Sequence, residues 1–259
     1  MGAIYSNVEI NFKLLNGIVL LPAAVNDEQG YFIFDTGAMK TALHKKYFPD
    51  IQGKELEIAK YSDEMKHDTA TEITIRSLSF SSVTLTDCDG MLMDLSYVED
   101  RLAAFDASVR LLGTMGIDII QHFSVMMDYQ ENKITLNPLH SLDQCACIPL
   151  RMEALPVIQI AIDGKEYRFV LDTGANVCLL ETALRDQVPM QTMAGAPEIF
   201  TIPSVSLQER SYNDVVSVLT DISAIQSKVS VSGVIGYQIL SPQRSYFDFS
   251  NQKLYLETV

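Results

Sequence analysis

The tetrapeptide Asp-Thr-Gly-Ala stands twice in this chain, at residues 35–38 and again at 172–175. Each copy closes an apolar run, Tyr31-Phe32-Ile33-Phe34 before the first and Phe169-Val170-Leu171 before the second. A repeat constrains a fold more than composition does, because both copies must form the same local structure. The surroundings repeat as well. At the motif's offset of 137, Val25-Asn26 falls on Ile162-Asp163. At 127, residues 92–96 fall on 219–223, Leu-Met-Asp-Leu-Ser against Leu-Thr-Asp-Ile-Ser. At 120, Gly113-Thr114-Met115-Gly116 falls on Gly233-Val234-Ile235-Gly236, and Asp128, Lys133 and Leu136 fall on Asp248, Lys253 and Leu256. The blocks keep their order while the offset shrinks in two steps. The first half therefore carries extra residues between the motif and Leu92, and again around 97–110. This reads as an internal duplication: a first lobe over 1–140 and a second over 148–259, linked through 137–151, where Pro138 and Pro149 break regular structure.

Short β-rich segments dominate, so the expected fold class is all-β with a few short helices. Strands are expected at 18–25 and 30–34 around a turn at 26–29, and at 157–162 and 165–171 around Asp163-Gly164, a strong hairpin signal. Further strands are expected at 73–85 and 199–207. Hairpins are expected at 123–128 with 133–136 and at 246–249 with 253–256. Short helices are expected after each motif, at 41–47 and 181–187, and at 116–121 and 236–240. The segment 97–110, rich in Ala and charge, is the best longer helix.

The remaining composition excludes several classes. With 259 residues, 47 % apolar and 20 % charged, the chain suits two ordered lobes with ample core. A net charge of −14 argues against nucleic acid and against anionic membrane surfaces. No stretch approaches the roughly 20 apolar residues of a membrane span. The chain as given shows no basic-then-apolar leader, which reads as cytoplasmic; a processed or truncated start would suit a periplasmic or secreted protein equally. Cys88, Cys145, Cys147 and Cys178 lack metal-ligand spacing. His44, His67, His122 and His140 are scattered and read as surface or loop residues. No metal and no cofactor is expected.

The repeated residues suit one chemistry. Each Asp would sit at a strand end on a tight turn. Gly37 and Gly174 let the opposite loop approach closely. Thr36 and Thr173 offer hydroxyls that can tie the two loops, and Ala38 and Ala175 are small enough for a crowded junction. Two carboxyls about 3 Å apart cannot both ionise cheaply, so the pair keeps a proton. Its ionised member can activate a water while its protonated member acidifies a carbonyl, which is general acid–base hydrolysis without a covalent intermediate.

The chain resembles the aspartic protease superfamily, in its retropepsin-like branch with both lobes fused. The matching residues are Phe34-Asp35-Thr36-Gly37-Ala38 and Leu171-Asp172-Thr173-Gly174-Ala175. The family's second signature, apolar–apolar–Gly, is met by Val234-Ile235-Gly236 and imperfectly by Thr114-Met115-Gly116. The absence of Trp and the short lobes fit the retropepsin-like type better than the pepsin type. The resemblance extends from about residue 18 to 256. It implies a bilobal acid-protease-like fold, an interlobe cleft and an endopeptidase with Asp35 and Asp172 as its catalytic dyad. The partner is then a peptide or protein substrate, and the molecule a monomer with an intramolecular dyad. Relatives with a flap place a tyrosine over the cleft. Here that segment falls within 55–74, where Tyr61 is the candidate, with a shorter counterpart at 190–200. A peptide-binding module that keeps the fold without the chemistry is the alternative reading. A third reading has each half pairing with another chain.

Overall fold

A computed structural model describes residues 5–57, 69–139, 142 and 145–257. The first half supplies β1 (Val8–Asn11), β2 (Lys13–Leu15), β3 (Ile18–Val25), β4 (Glu28–Phe34), β5 (Ala42–His44), β6 (Lys54–Glu57), β7 (Thr69–Phe80), β8 (Val83–Met93), β9 (Leu111–Met115), β10 (Val125–Asp128) and β11 (Lys133–Leu136). The second supplies β12 (Ala146–Pro149), β13 (Arg151–Met152), β14 (Pro156–Ile162), β15 (Lys165–Leu171), β16 (Cys178–Glu181), β17 (Gln191–Met193), β18 (Ala196–Leu207), β19 (Arg210–Thr220), β20 (Gly233–Ile235), β21 (Arg244–Asp248) and β22 (Lys253–Glu257). Four helices occur among the described residues: α1 (Ser96–Ala103), α2 (Ile117–Ile120), α3 (Ser223–Gln226) and α4 (Tyr237–Leu240). None is long and apolar enough to cross a membrane.

Two eight-stranded sheets share one topology. Their orders are β2-β3-β4-β9-β5-β8-β7-β6 and β13-β14-β15-β20-β16-β19-β18-β17. A six-stranded sheet, β1-β11-β10-β21-β22-β12, takes three strands from each half and joins them through the β10–β21 pairing. The fold is mainly β and bilobal, as the sequence leads one to expect.

The hairpins form where turn chemistry allows. Two-residue loops join β3 to β4 and β14 to β15, with Val25 opposite Glu28 and Ile162 opposite Lys165. Asn26 and Asp27 have φ of 47° and 76°, and Asp163 and Gly164 have 51° and 73°. Such left-handed pairs match the twist of the flanking strands, and Asn, Asp and Gly tolerate them best. The first turn is tighter than the four residues expected. At the β10–β11 and β21–β22 turns, Asp128 and Asp248 accept backbone N–H groups from Glu131 and Asn251, both at 3.0 Å.

The strands that end in the motifs are buried on both faces. Phe32 and Phe34 of β4 enter the main core, and Phe169 and Leu171 of β15 do the same. Between the two Phe, Ile33 points to the opposite face, into a second cluster with Leu95, Leu102, Val109 and Leu111. That cluster is roofed by α1, so the extra residues of the first half cover the outer face of its sheet. Full burial of each of these side chains is worth about 1.5–3 kcal/mol, which holds the strand ends in place.

Several expectations need correction. Residues 41–47 are not helical. Ala42, Leu43 and His44 form β5, buried between β8 and β9. A three-residue run with every side chain buried gains more from two ladders than from an isolated helical turn. Residues 181–187 hold only a 3-10 turn at Thr182–Leu184. The helix expected over 97–110 stops at Ala103. The strand expected over 73–85 is broken by a turn at Ser81, φ 51°, and so becomes the β7–β8 hairpin. β12 lies inside the stretch read as a link.

Candidate active site

Asp35 and Asp172 are the residues immediately after β4 and β15. The Asp35 N–H donates to the Met115 carbonyl at 3.0 Å, and the Asp172 N–H to the Ile235 carbonyl at 2.9 Å. Each loop is thus anchored on the strand that ends at Gly116 or Gly236. The imperfect Thr114-Met115-Gly116 signature performs the same anchoring as Val234-Ile235-Gly236.

The two loops are tied by a reciprocal lattice. The Thr36 N–H donates to Thr173 Oγ1 at 3.0 Å, and the Thr173 N–H to Thr36 Oγ1 at 3.0 Å. Thr36 Oγ1 donates to the Leu171 carbonyl and Thr173 Oγ1 to the Phe34 carbonyl, each at 2.7 Å. Both threonines are buried. Each hydroxyl therefore accepts once and donates once across the junction, and no hydroxyl or N–H of the pair is left unmatched.

The lattice brings the carboxyls together. Asp35 and Asp172 face each other closely enough to share a proton. A Cβ on Gly37 would lie 2.3 Å from the Asp172 carboxyl carbon, and one on Gly174 would lie 2.7 Å from that of Asp35. No real Cβ tolerates such contacts, so glycine is required at both places by close approach. The N–H groups of Gly37 and Ala38 both donate to Asp35 Oδ1 at 2.9 Å, and that of Gly174 donates to Asp172 Oδ1 at 2.7 Å.

The electrostatics follow from this packing. Burial pushes Asp35 well above the usual carboxylate range, and the charge and hydrogen bond of Asp172 push it further; the Gly37 and Ala38 N–H groups oppose. Burial also raises Asp172, against hydrogen bonds from Asp35 and from the N–H groups of Gly174, Gly37 and Ala175. The pair therefore retains one proton well above the pH at which a free carboxyl loses it. Such a pair can give a proton to one oxygen while taking one from another. No group of three or more His, Cys, Asp or Glu side chains fit to hold a metal occurs among the described residues.

Other expected residues fall as follows. The carbonyls of Ala38 and Ala175 accept the Ile117 and Tyr237 N–H groups at 2.8 and 2.9 Å. Tyr61 lies outside the described residues, between β6 and β7, which pair as a hairpin. The counterpart at 190–200 is the β17–β18 hairpin, turning at Gly195 with φ of 82°. His122 is exposed, but His44 is fully buried at 0 % exposure, against the surface reading. It ends β5, whose burial a scattered-histidine reading could not detect. The sequence reading also passed over Asp118, which accepts the Thr41 N–H at 2.9 Å and the Thr41 hydroxyl at 2.8 Å. Thr41 Oγ1 in turn accepts the Gly116 N–H. In the second half Gln238, the counterpart of Asp118, holds a different element, bracing both the N–H and the carbonyl of Val216 on β19. The equivalence of Asp118 and Gln238 at offset 120 was readable; what each holds was not.

No protein-family profile matches this chain, and no curated protein sequence matches it. Among solved structures, the crystal structure of an aspartic proteinase from Irpex lacteus is similar to it with a TM-score of 0.62 over 97 % of each chain, at 12 % identity. At that identity the likeness concerns architecture, and it favours no particular branch. The chain has the bilobal, mainly-β fold seen in that aspartic proteinase.

Proposed function

We propose that the chain is an aspartic endopeptidase of retropepsin-like type, acting as a monomer on peptide or protein substrates. The observation that carries this reading is the pair of buried, facing carboxyls held by the threonine lattice. Asp35 and Asp172 are its catalytic residues; Thr36, Gly37, Ala38, Thr173, Gly174 and Ala175 support them.

The pair works with one proton in total. Asp35, whose acidity burial and its neighbour's charge suppress most, holds it. Asp172, whose carboxylate accepts the Gly174 N–H, faces a water. As that water's oxygen attacks the peptide carbonyl carbon, Asp172 takes the water's proton and Asp35 gives its proton to the carbonyl oxygen. A neutral gem-diol results. Asp172 then protonates the amide nitrogen, the C–N bond breaks, and one diol hydroxyl returns its proton to Asp35. The products are an acid and an amine, and the dyad regains its single proton. No acyl-enzyme forms.

The test is hydrolysis of a broad peptide library between pH 3 and pH 8. Turnover is expected to fall by about 10²–10⁴ in Asp35→Asn and in Asp172→Asn. Cleavage unaffected by either change sinks the mechanism. Tight peptide binding without turnover in the unmodified protein would replace it with the binding-module reading.

A further inference from the structure

Behind the Asp35 loop, Glu99 of α1 is 4 % exposed and joins three elements. Its carboxylate accepts from Lys46 Nζ, from the Tyr47 hydroxyl, and from the Leu111 N–H at 3.1 Å. His44 Nε2 lies 3.7 Å away and has no hydrogen-bond partner. His44 Nδ1 accepts the Leu95 N–H at 3.1 Å, so the neutral ring carries its hydrogen on Nε2. Leu95 is the residue on which α1 begins. His44 thus fixes the start of α1, and Glu99 fixes the start of β9. The far end of β9 is Met115, whose carbonyl holds the Asp35 N–H.

The second half contains the same node in different chemistry. At the motif's offset His44 corresponds to Glu181; at the next two offsets Glu99 corresponds to Gln226 and Leu111 to Val231. Gln226 donates to Glu181 at 2.7 Å and to the Val231 carbonyl at 3.0 Å. The strand register agrees, since His44 pairs with Met93 and Glu181 with Thr220. In both halves the helix side chain meets the one that ends the strand, accepting a backbone N–H in the first and donating to a backbone carbonyl in the second, which marks a position that each lobe must brace. Only the first half builds it with an imidazole.

We infer that Glu99 and His44 are positioning residues for the Asp35 loop, and that their contact gives the first half an acid limit which the second half lacks. Protonated His44 places a hydrogen on Nδ1, facing the Leu95 N–H, so that two donors oppose each other and α1 loses its anchor. Around the ring stand Glu99, Asp94, Lys46, Tyr47 and the Met93 carbonyl; Lys45 pairs with Asp94, and Arg110 lies over the Tyr47 ring. Burial lowers the imidazole below its usual range, against the pull of Glu99. Because the folded state binds this proton less readily than the unfolded chain, stability declines as pH falls through about 6.5 and levels off only below the folded value.

The effect on catalysis rests on the proposed activity; the effect on stability does not. His44→Asn keeps an acceptor for the Leu95 N–H and cannot titrate. His44 is expected to add up to a tenfold gain in the unfolding constant per pH unit below pH 6.5, set against the opposing trend of the carboxyl pair. His44→Asn should lose that dependence, and the acid limb of kcat/KM should move to lower pH with KM unchanged. Parallel pH dependences of unfolding in the two proteins would overturn the inference. If His44→Asn does not fold at pH 7, hydrogen exchange at the Leu95 amide decides in the unmodified chain. Loss of protection as the His44 ring titrates supports the device, and unchanged protection refutes it. Absence of any peptide turnover would count against the proposed function and leave both stability measurements readable.

Discussion

Thr36 and Thr173 each commit a hydroxyl and an N–H to the opposite strand end, so neither can change alone. Thr36→Val keeps the shape but leaves the Thr173 N–H and the Leu171 carbonyl unmatched in a buried place. Each such loss costs about 1–3 kcal/mol, and chemical denaturation should show it. In Thr36→Val/Thr173→Val the two costs should add poorly, because both changes break one lattice. The carboxyls behave in the opposite sense. A raised carboxyl means the folded state binds more protons than the unfolded chain at neutral pH, so stability falls as pH rises above the unfolded value near 3.8. Asp35→Asn removes that cost. It should raise Tm by about 2–4 °C at pH 7 for each kcal/mol relieved, with little change at pH 3, while turnover falls by about 10²–10⁴. These residues were legible because the motif and its local partners lie within a few positions and occur twice. His44 and Glu99 were not, since their contact depends on how β5 and α1 pack, and no local pattern reports that.

Among the elements, hairpins were the most readable. Asp163-Gly164 names its turn type by its residues alone, and Gly164 at φ 73° meets nothing within 4 Å where a Cβ would go. Gly164→Val should therefore cost about 1–2 kcal/mol from backbone conformation alone, visible as a lower denaturation midpoint with KM unchanged. β5 was misread because a short apolar run after a turn carries no period, and its two neighbours in the sheet lie far along the chain at β8 and β9. The β7–β8 hairpin was misread because Ser81 carries no glycine signal for its left-handed turn. Helix α1 was foreseen in place but not in length; it ends where Leu102 has reached the second cluster and residues 104–110 turn back to begin β9.

At the scale of the molecule, the duplicated halves meet in one ladder, where Val125, Met126 and Met127 pair with Phe247, Tyr246 and Ser245. Both carboxyls of the site belong to one chain, so specific activity should not change with dilution, and sedimentation should report a single-chain mass at every active concentration. An activity that vanishes on dilution at constant fold would transfer the site to a dimer. The two-lobed plan was readable because order and register repeat; the shared six-stranded sheet was not, because the repeat yields a hairpin in each half but not the pairing of β10 with β21 across the halves. The distance along the chain between Asp35 and its supports also bears on how the protein is made. Leu171, Thr173 and Asp172 all follow Asp35 by more than a hundred residues, and the Ile235 carbonyl that anchors Asp172 comes later still. During synthesis the first carboxyl emerges without its partner, and the second emerges before its own anchor has left the ribosome. On the proposed activity, the nascent polypeptide gains its paired carboxyls only once translation has passed β20, a delay written into chain order.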